Sequence, residues 1–256
     1  MSAAVDSQRA AELLVDFRLP ILARELSARL ASDGHAAALS TVLELLEAEA
    51  EARDQRRTER LLRLSGLPNA KTFDSLDESA LPRKVLAQLR ELSSGDFVER
   101  GDNVLCFGLP GRGKSHAAAA LGHSLVRRGY QVLFTPAFRL VQELLLAKRD
   151  LSLPRALRKL DSFDVLILDD IGYVQQSQDE VEVLFTLLSE RYERRSVVIT
   201  SNLVFSEWNS IFKNPMTTAA AIDRLVHHSV ILEFSGRSRR AEEASRRSRG
   251  SEEAAR

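Results

Sequence analysis

The stretch CFGLPGRGKSHAAAALGHSL, Cys106 to Leu125, crowds Gly108, Gly111, Gly113, Lys114 and Ser115 into one bend between an apolar run and an alanine-rich one. A simple strand-to-helix turn needs far fewer glycines. The spacing is G-x-x-x-x-G-K-S, the pattern of a phosphate-binding loop. Its glycines let successive backbone N–H groups turn toward phosphate oxygens with no Cβ in the way. The helix that follows aims its N-terminus, with its partial positive charge, at the same point. The segment Gly108, Leu109, Pro110, Gly111, Arg112, Gly113, Lys114, Ser115 and His116 is therefore the candidate nucleotide-binding element. Lys114 would reach the β- and γ-phosphates and the Ser115 hydroxyl would ligate Mg²⁺.

A second element supports the first. VLILDD sets Asp169 and Asp170 directly after an apolar strand. A carboxylate at the carboxyl end of a neighbouring parallel strand suits the second Mg²⁺ contact. Asp169 is assigned to the metal side, and Asp170 to orienting and deprotonating an attacking water. Alone, a paired aspartate is an ordinary strand-end turn; beside a phosphate loop it is chemistry. VVITSN ends another apolar strand in Thr200, Ser201 and Asn202, neutral polar groups able to hydrogen-bond a γ-phosphate or a water, although strands often finish in such residues. Arg224, in AIDRLVHH, reads either as a surface ion-pair residue or as an arginine offered to a neighbouring subunit's nucleotide.

These groups need elements to hold them. Val104–Phe107, Gln131–Phe134, Val165–Leu168, Val197–Thr200 and Ser229–Glu233 are short apolar or β-branched runs. They alternate with segments of helical period, Lys114–Arg128, Phe138–Lys148, Asp179–Tyr192 and Thr217–His228. Alternation of this kind predicts a parallel sheet covered on both faces. Upstream, residues 7–66 read as helices, with Leu13, Leu14, Phe17, Ile21, Leu22, Leu26 and Leu30 on one apolar face and Pro20 as a break or kink. Ser32-Asp33-Gly34 is a turn. A second run follows through Leu39, Val42, Leu43 and Leu46 to Leu61 and Leu62, its later part highly charged and directed at solvent or a partner. Gly66-Leu67-Pro68-Asn69 stops it. The expected organisation is a helical domain over 1–66, a linker over 67–101 with one short helix near Arg83–Leu92, the sheet domain over 102–235, and a basic tail over 236–256.

Composition narrows the class. The 256 residues carry 36 basic and 36 acidic side chains, so bulk charge argues for no particular partner. Charge is nonetheless clustered: Arg53, Arg56, Arg57, Arg60 and Arg63 face only Asp54 and Glu59, and the tail GRSRRAEEASRRSRGSEEAAR is arginine-rich. Both also fit solvated surface. No apolar run approaches the ~18 residues of a membrane helix. The first residues lack a signal peptide's apolar core, and the single cysteine, Cys106, excludes an internal disulfide. A reducing cytoplasm is the expected compartment. His227 and His228 are adjacent, hence on different sides of a helix, and His116 and His123 share one helix face as packing residues. No metal site is expected among the histidines. Trp208 reads as a core anchor.

The order GLPGRGKSHAAAALG, VLILDDIGY, LLSERYERRSVVITSN, FSEWNSIF and AAAIDRLVHHSVILEF resembles the IstB-like ATPases, transposition helpers of bacterial insertion sequences. These are AAA+ proteins similar to DnaC-type helicase loaders. RLPILARELSARL and LLEAEAEARDQRRTERLLRLSGLPNAKT resemble the family's leader domain. The resemblance implies a P-loop NTPase of AAA+ type that uses ATP and Mg²⁺. It also implies assembly as a homo-oligomer on double-stranded DNA and delivery of that DNA to a cognate transposase. Asn202 corresponds to a sensor and Arg224 to the candidate finger. Two departures stand out. Asp170 replaces the more common Glu, one methylene shorter, which implies slower hydrolysis. Gly236-Arg237-Ser238-Arg239-Arg240 stands where the family has G-E-S-Y-R, with Arg240 in the place of the final arginine. A helicase loader, a small-molecule kinase and a nucleotide-gated scaffold are the competing readings; the aspartate pair and the TSN strand end suit water activation over a kinase.

Overall fold

The computed structural model describes residues 2–35, 37–173, 177–203 and 225–235. The chain forms two compact units, Met1–Arg60 and Leu61–Arg256.

The first unit contains α1 (Ser2–Asp16), α2 (Pro20–Ser32) and most of α3 (Ala38–Ser65). Pro20 opens α2, where its missing N–H costs nothing, so it separates two helices and kinks neither. Burial here is sparse. Ala10, Leu13, Leu14 and Leu39 are buried, whereas α2 buries nothing and exposes Ile21 and Leu22. The apolar face expected through these two residues is therefore only half used. Along α3 the polar groups serve the helix itself: Glu49 accepts from Arg53 at 2.7 Å and from Arg56 at 3.2 Å. The Arg53 guanidinium lies 4.1 Å from the centre of the Phe17 ring.

The second unit is built on five parallel strands, β1 (Asn103–Phe107), β2 (Val132–Pro136), β3 (Val165–Asp169), β4 (Ser196–Ser201) and β5 (Ser229–Glu233), in the order β2-β3-β4-β1-β5. Side-chain alternation sends Val104, Cys106, Val165 and Ile167 to one face. Leu105, Phe107, Leu166 and Leu168 go to the other, so each face has its own buried cluster. The first cluster is closed by α4 (Arg83–Leu92) and α6 (Lys114–Arg127). The second is closed by α7 (Ala137–Arg149), α8 (Leu153–Asp161) and α9 (Gln178–Arg191). A capping box between Ser177 and Glu180 starts α9.

Three expectations change. Residues 67–101 do not connect two bodies: Leu67, Leu76, Leu81, Val85, Leu89, Leu92 and Phe97 belong to the first buried cluster, and a short helix, α5 (Asp96–Glu99), follows α4. The stretch looks linker-like because its apolar residues are spread among turns. Helix α8 was not anticipated, because it is short and exposes most of its polar residues to solvent. Finally, β3 is not the neighbour of β1, since β4 lies between them. The predicted helix Thr217–His228 lies mostly outside the described residues, as do Trp208, Arg224, Arg240 and the tail.

Arg191, at the end of α9, is 1% exposed and donates to the carbonyls of Leu160, Phe163, Asp164 and Ser196 at 3.0–3.1 Å. It ties α8, the approach to β3 and the start of β4 together at the end of the sheet opposite the glycine loop.

Candidate functional site

The loop leaves β1 through Gly108, whose φ of 150° and close approach to the Phe234 carbonyl leave no room for a side chain. Gly113, at φ 86°, turns the chain into α6. The Gly108 N–H donates to the Ser201 carbonyl at 3.3 Å, and the Phe234 N–H donates to the Phe107 carbonyl at 2.7 Å, so both neighbouring strands anchor the loop's base. Lys114 is 8% exposed, and its Nζ donates to the carbonyls of Gly108 and Leu109 at 2.6 and 3.0 Å. The ammonium thus curls back into its own loop. A cation held by carbonyls within a glycine cradle at the start of a fourteen-residue helix fits a phosphate group.

Across the sheet, the ends of β3 and β4 form a connected polar cluster. Thr200, 1% exposed, donates its hydroxyl to Asp169 Oδ1 at 2.6 Å and accepts the Asp170 N–H at 2.8 Å. Asp170 sits at φ 63°, a left-handed conformation uncommon for a side-chain-bearing residue. The Ser201 hydroxyl accepts the Leu203 N–H at 3.1 Å, making a local turn. Asn202 packs on the 3-10 turn Ile171–Tyr173, where a Cβ on Gly172 would overlap its carboxamide. Its Oδ1 is buried and has no hydrogen-bond partner among the described residues. Gly172 was not singled out from the sequence, and nothing local marks it. Ser115, at the start of α6, and Asp169, at the end of β3, carry oxygen donors of the kind a Mg²⁺ ion takes. Cys106 lies on β1, where burial pushes its thiol up to about 12 while the charges of Lys114 and Asp169 both act on it. It is a buried core residue.

Other residues take different roles from those anticipated. The Arg112 guanidinium donates to the Phe234 carbonyl at 3.3 Å, bracing the loop against the residue after β5. The His116 side chain lies 3.0 Å from the Thr72 carbonyl and 3.1 Å from the Ser75 hydroxyl, and His123 lies 3.2 Å from the Pro68 carbonyl. These two histidines therefore fasten the 68–75 segment to α6 by hydrogen bonds as well as packing. His227 and His228 do not point apart: helix ends at this position, and both rings converge with Glu193 into a potential metal-ligand group. All three are exposed, and His228 Nε2 lies 3.4 Å from Glu193 Oε1.

Comparison with known proteins matches residues 12–247 to the family described as IstB-like ATP binding protein. The chain belongs to this family. A relative in Sinorhizobium fredii, named as an insertion sequence ATP-binding protein, is 45% identical over 251 residues, covering 94% of this chain and 83% of its own. Among solved structures, DnaI superposes with a TM-score of 0.56 at 17% identity, over 67% of this chain and 96% of its own. The DnaC helicase loader gives 0.51 at 20%, over 69% and 99%. The fold is that of the P-loop AAA+ proteins, as the IstB-like resemblance implied. No helix among the described residues is long and apolar enough to cross a membrane.

Proposed function

We propose that the chain is a Mg-dependent ATPase that assembles as a homo-oligomer on double-stranded DNA in the cytoplasm. It delivers that DNA to a cognate transposase and stimulates it. The observation that carries the ATPase reading is the Thr200-linked Asp169–Asp170 pair, one strand across from a lysine-bearing glycine loop. The naming of the relatives for insertion sequences favours the transposase as client over a replicative helicase.

In this mechanism Lys114 exchanges the carbonyls of Gly108 and Leu109 for phosphate oxygens. Ser115 and Asp169 would hold Mg²⁺, which when bound would neutralise charge on the phosphates. Asp170 takes a proton from a water whose oxygen attacks the γ-phosphorus as the bond to the leaving ADP oxygen breaks. The Asn202 Oδ1, without a partner among the described residues, accepts a hydrogen bond from that water, or the carboxamide N–H donates to a γ-phosphate oxygen. Arg224 comes from the adjacent subunit and stabilises transferred charge.

ATP turnover measured with and without duplex DNA tests this proposal. Turnover raised by DNA and lost in Lys114→Ala is expected; no turnover under either condition rejects it. Retention of a replicative helicase in preference to the transposase, with ATP present, would favour the loader reading. Mixing Arg224→Ala with Lys114→Ala chains should recover part of the turnover if the arginine acts across a subunit boundary.

A further inference from the structure

We propose that Thr200 is a positioning residue for ATP hydrolysis, a hydroxyl clamp that sets the metal-side and water-side carboxylates in fixed relation. The inference rests on the ATPase reading above and adds to it a residue whose hydroxyl is engaged by protein groups.

A threonine hydroxyl has one proton to give and lone pairs to accept with. At Thr200 the proton goes to Asp169 Oδ1 at 2.6 Å, and the oxygen accepts the Asp170 N–H at 2.8 Å. The donor is spent on Asp169, so Thr200 serves the two aspartates and not a phosphate. The first bond fixes the rotation of the carboxylate assigned to the metal. The second holds the Asp170 backbone at φ 63°, a conformation that aspartate tolerates but does not prefer. That backbone angle sets the direction in which the Asp170 side chain leaves the chain.

The location makes the clamp a connector. Thr200 is on β4, in register with Cys106 of β1, and Gly108 at the loop's base donates to the carbonyl of the next residue, Ser201. One side of β4 thus meets the phosphate loop and the other meets the aspartates. Thr200 is 1% exposed, so water cannot substitute for its hydroxyl without a cavity. Partners of this kind, holding a metal-binding carboxylate from behind, typically alter metal affinity or activity about 10- to 100-fold when removed.

The experiment compares wild type, Thr200→Val and Thr200→Ser. It reads kcat and KM for ATP, and Mn²⁺ affinity by electron paramagnetic resonance in the presence of a non-hydrolysable ATP analogue. Thr200→Val should lower kcat about 10- to 100-fold with KM changed little, and should weaken Mn²⁺ binding by about 10-fold. Thr200→Ser, which keeps the hydroxyl, should restore both. Wild-type kcat and Mn²⁺ affinity in Thr200→Val would overturn the proposal. So would a loss that serine does not rescue, which would assign the effect to the methyl group. If Thr200→Val does not fold, Thr200→Cys replaces it, with the same loss expected. Mn²⁺ binding needs no turnover, so a wild-type chain that binds the analogue but does not hydrolyse ATP rejects the ATPase reading while the clamp is still judged.

Discussion

The glycine loop and the arginine stretch of α3 are both recognised by residue type, yet they hold their charges in opposite ways. At the loop, Lys114 is almost buried and bound by carbonyls whose directions are set by glycine backbone angles and by strands on either side. On α3, Arg53 and Arg56 lie on an exposed helix face and pair with Glu49, one or two turns away on the same helix. One arrangement is preorganised and fails as a unit. The other is a set of separate, screened contributions, each worth little alone.

This contrast is tested first at the chemistry. Asp170→Asn should leave ATP binding in place and slow hydrolysis by about 10²–10⁴-fold, since an amide takes no proton from water. Single-turnover kinetics decide it, and unchanged turnover would move the base elsewhere. Lys114→Ala should cost about 2–5 kcal/mol of ATP affinity, the scale for losing a desolvated charge partner. Titration calorimetry measures the loss, and a melt checks that the fold persists. Wild-type affinity would show that the loop is not preorganised for phosphate.

Arg191→Met should destabilise the second unit by about 3 kcal/mol, because the carbonyls of Leu160, Phe163, Asp164 and Ser196 lose a donor, those of Leu160 and Ser196 in the buried interior. Urea denaturation reads this. An effect under about 0.5 kcal/mol would place Arg191 with the surface arginines.

Reversing the charge at Arg56, Arg57 and Arg60 together should weaken duplex DNA binding and leave the melting of the second unit unchanged. The slope of log affinity on log salt should flatten by about 0.9 for each arginine that contacts a phosphate. Equal binding at every salt concentration would remove α3 from the DNA-binding surface.

The smallest effect belongs to Glu49. Arg53, and then Arg56, hold its carboxyl below the usual glutamate range. A lowered folded value means that the pairing supports α3 above the unfolded pKa and is lost as pH falls through the folded one. Wild type should therefore melt slightly above Glu49→Gln at neutral pH and coincide with it in acid. A gap that persists in acid would show that the glutamate acts by packing.

Much of the candidate site was legible because its signals are local. Gly108 and Gly113 announce backbone angles that other residues resist, and the neighbouring Lys114 and Ser115 name the ligand chemistry. Asp169 and Asp170 were found because an apolar run ends on them. Thr200 was visible as a strand-end polar residue, but its partners were not, since nothing local says that its hydroxyl faces Asp169, 31 residues earlier. The same distance hid Arg191, which looks like one more charge in SERYERR until its carbonyl partners are assembled. Helix geometry does not predict the sides of His227 and His228, because the helix ends at this position.

By itself the sequence determined the five strands, the helices α6, α7 and α9 and the phosphate-loop pattern, because backbone preference and apolar period are properties of short windows of chain. Tertiary structure alone decided that β4 lies between β1 and β3, that 67–101 packs into a core and that Thr200 joins two aspartates. Strand order is chosen by which buried faces and crossovers can be satisfied together across the whole sheet. That sum runs over residues far apart in the chain, and no window of sequence contains it.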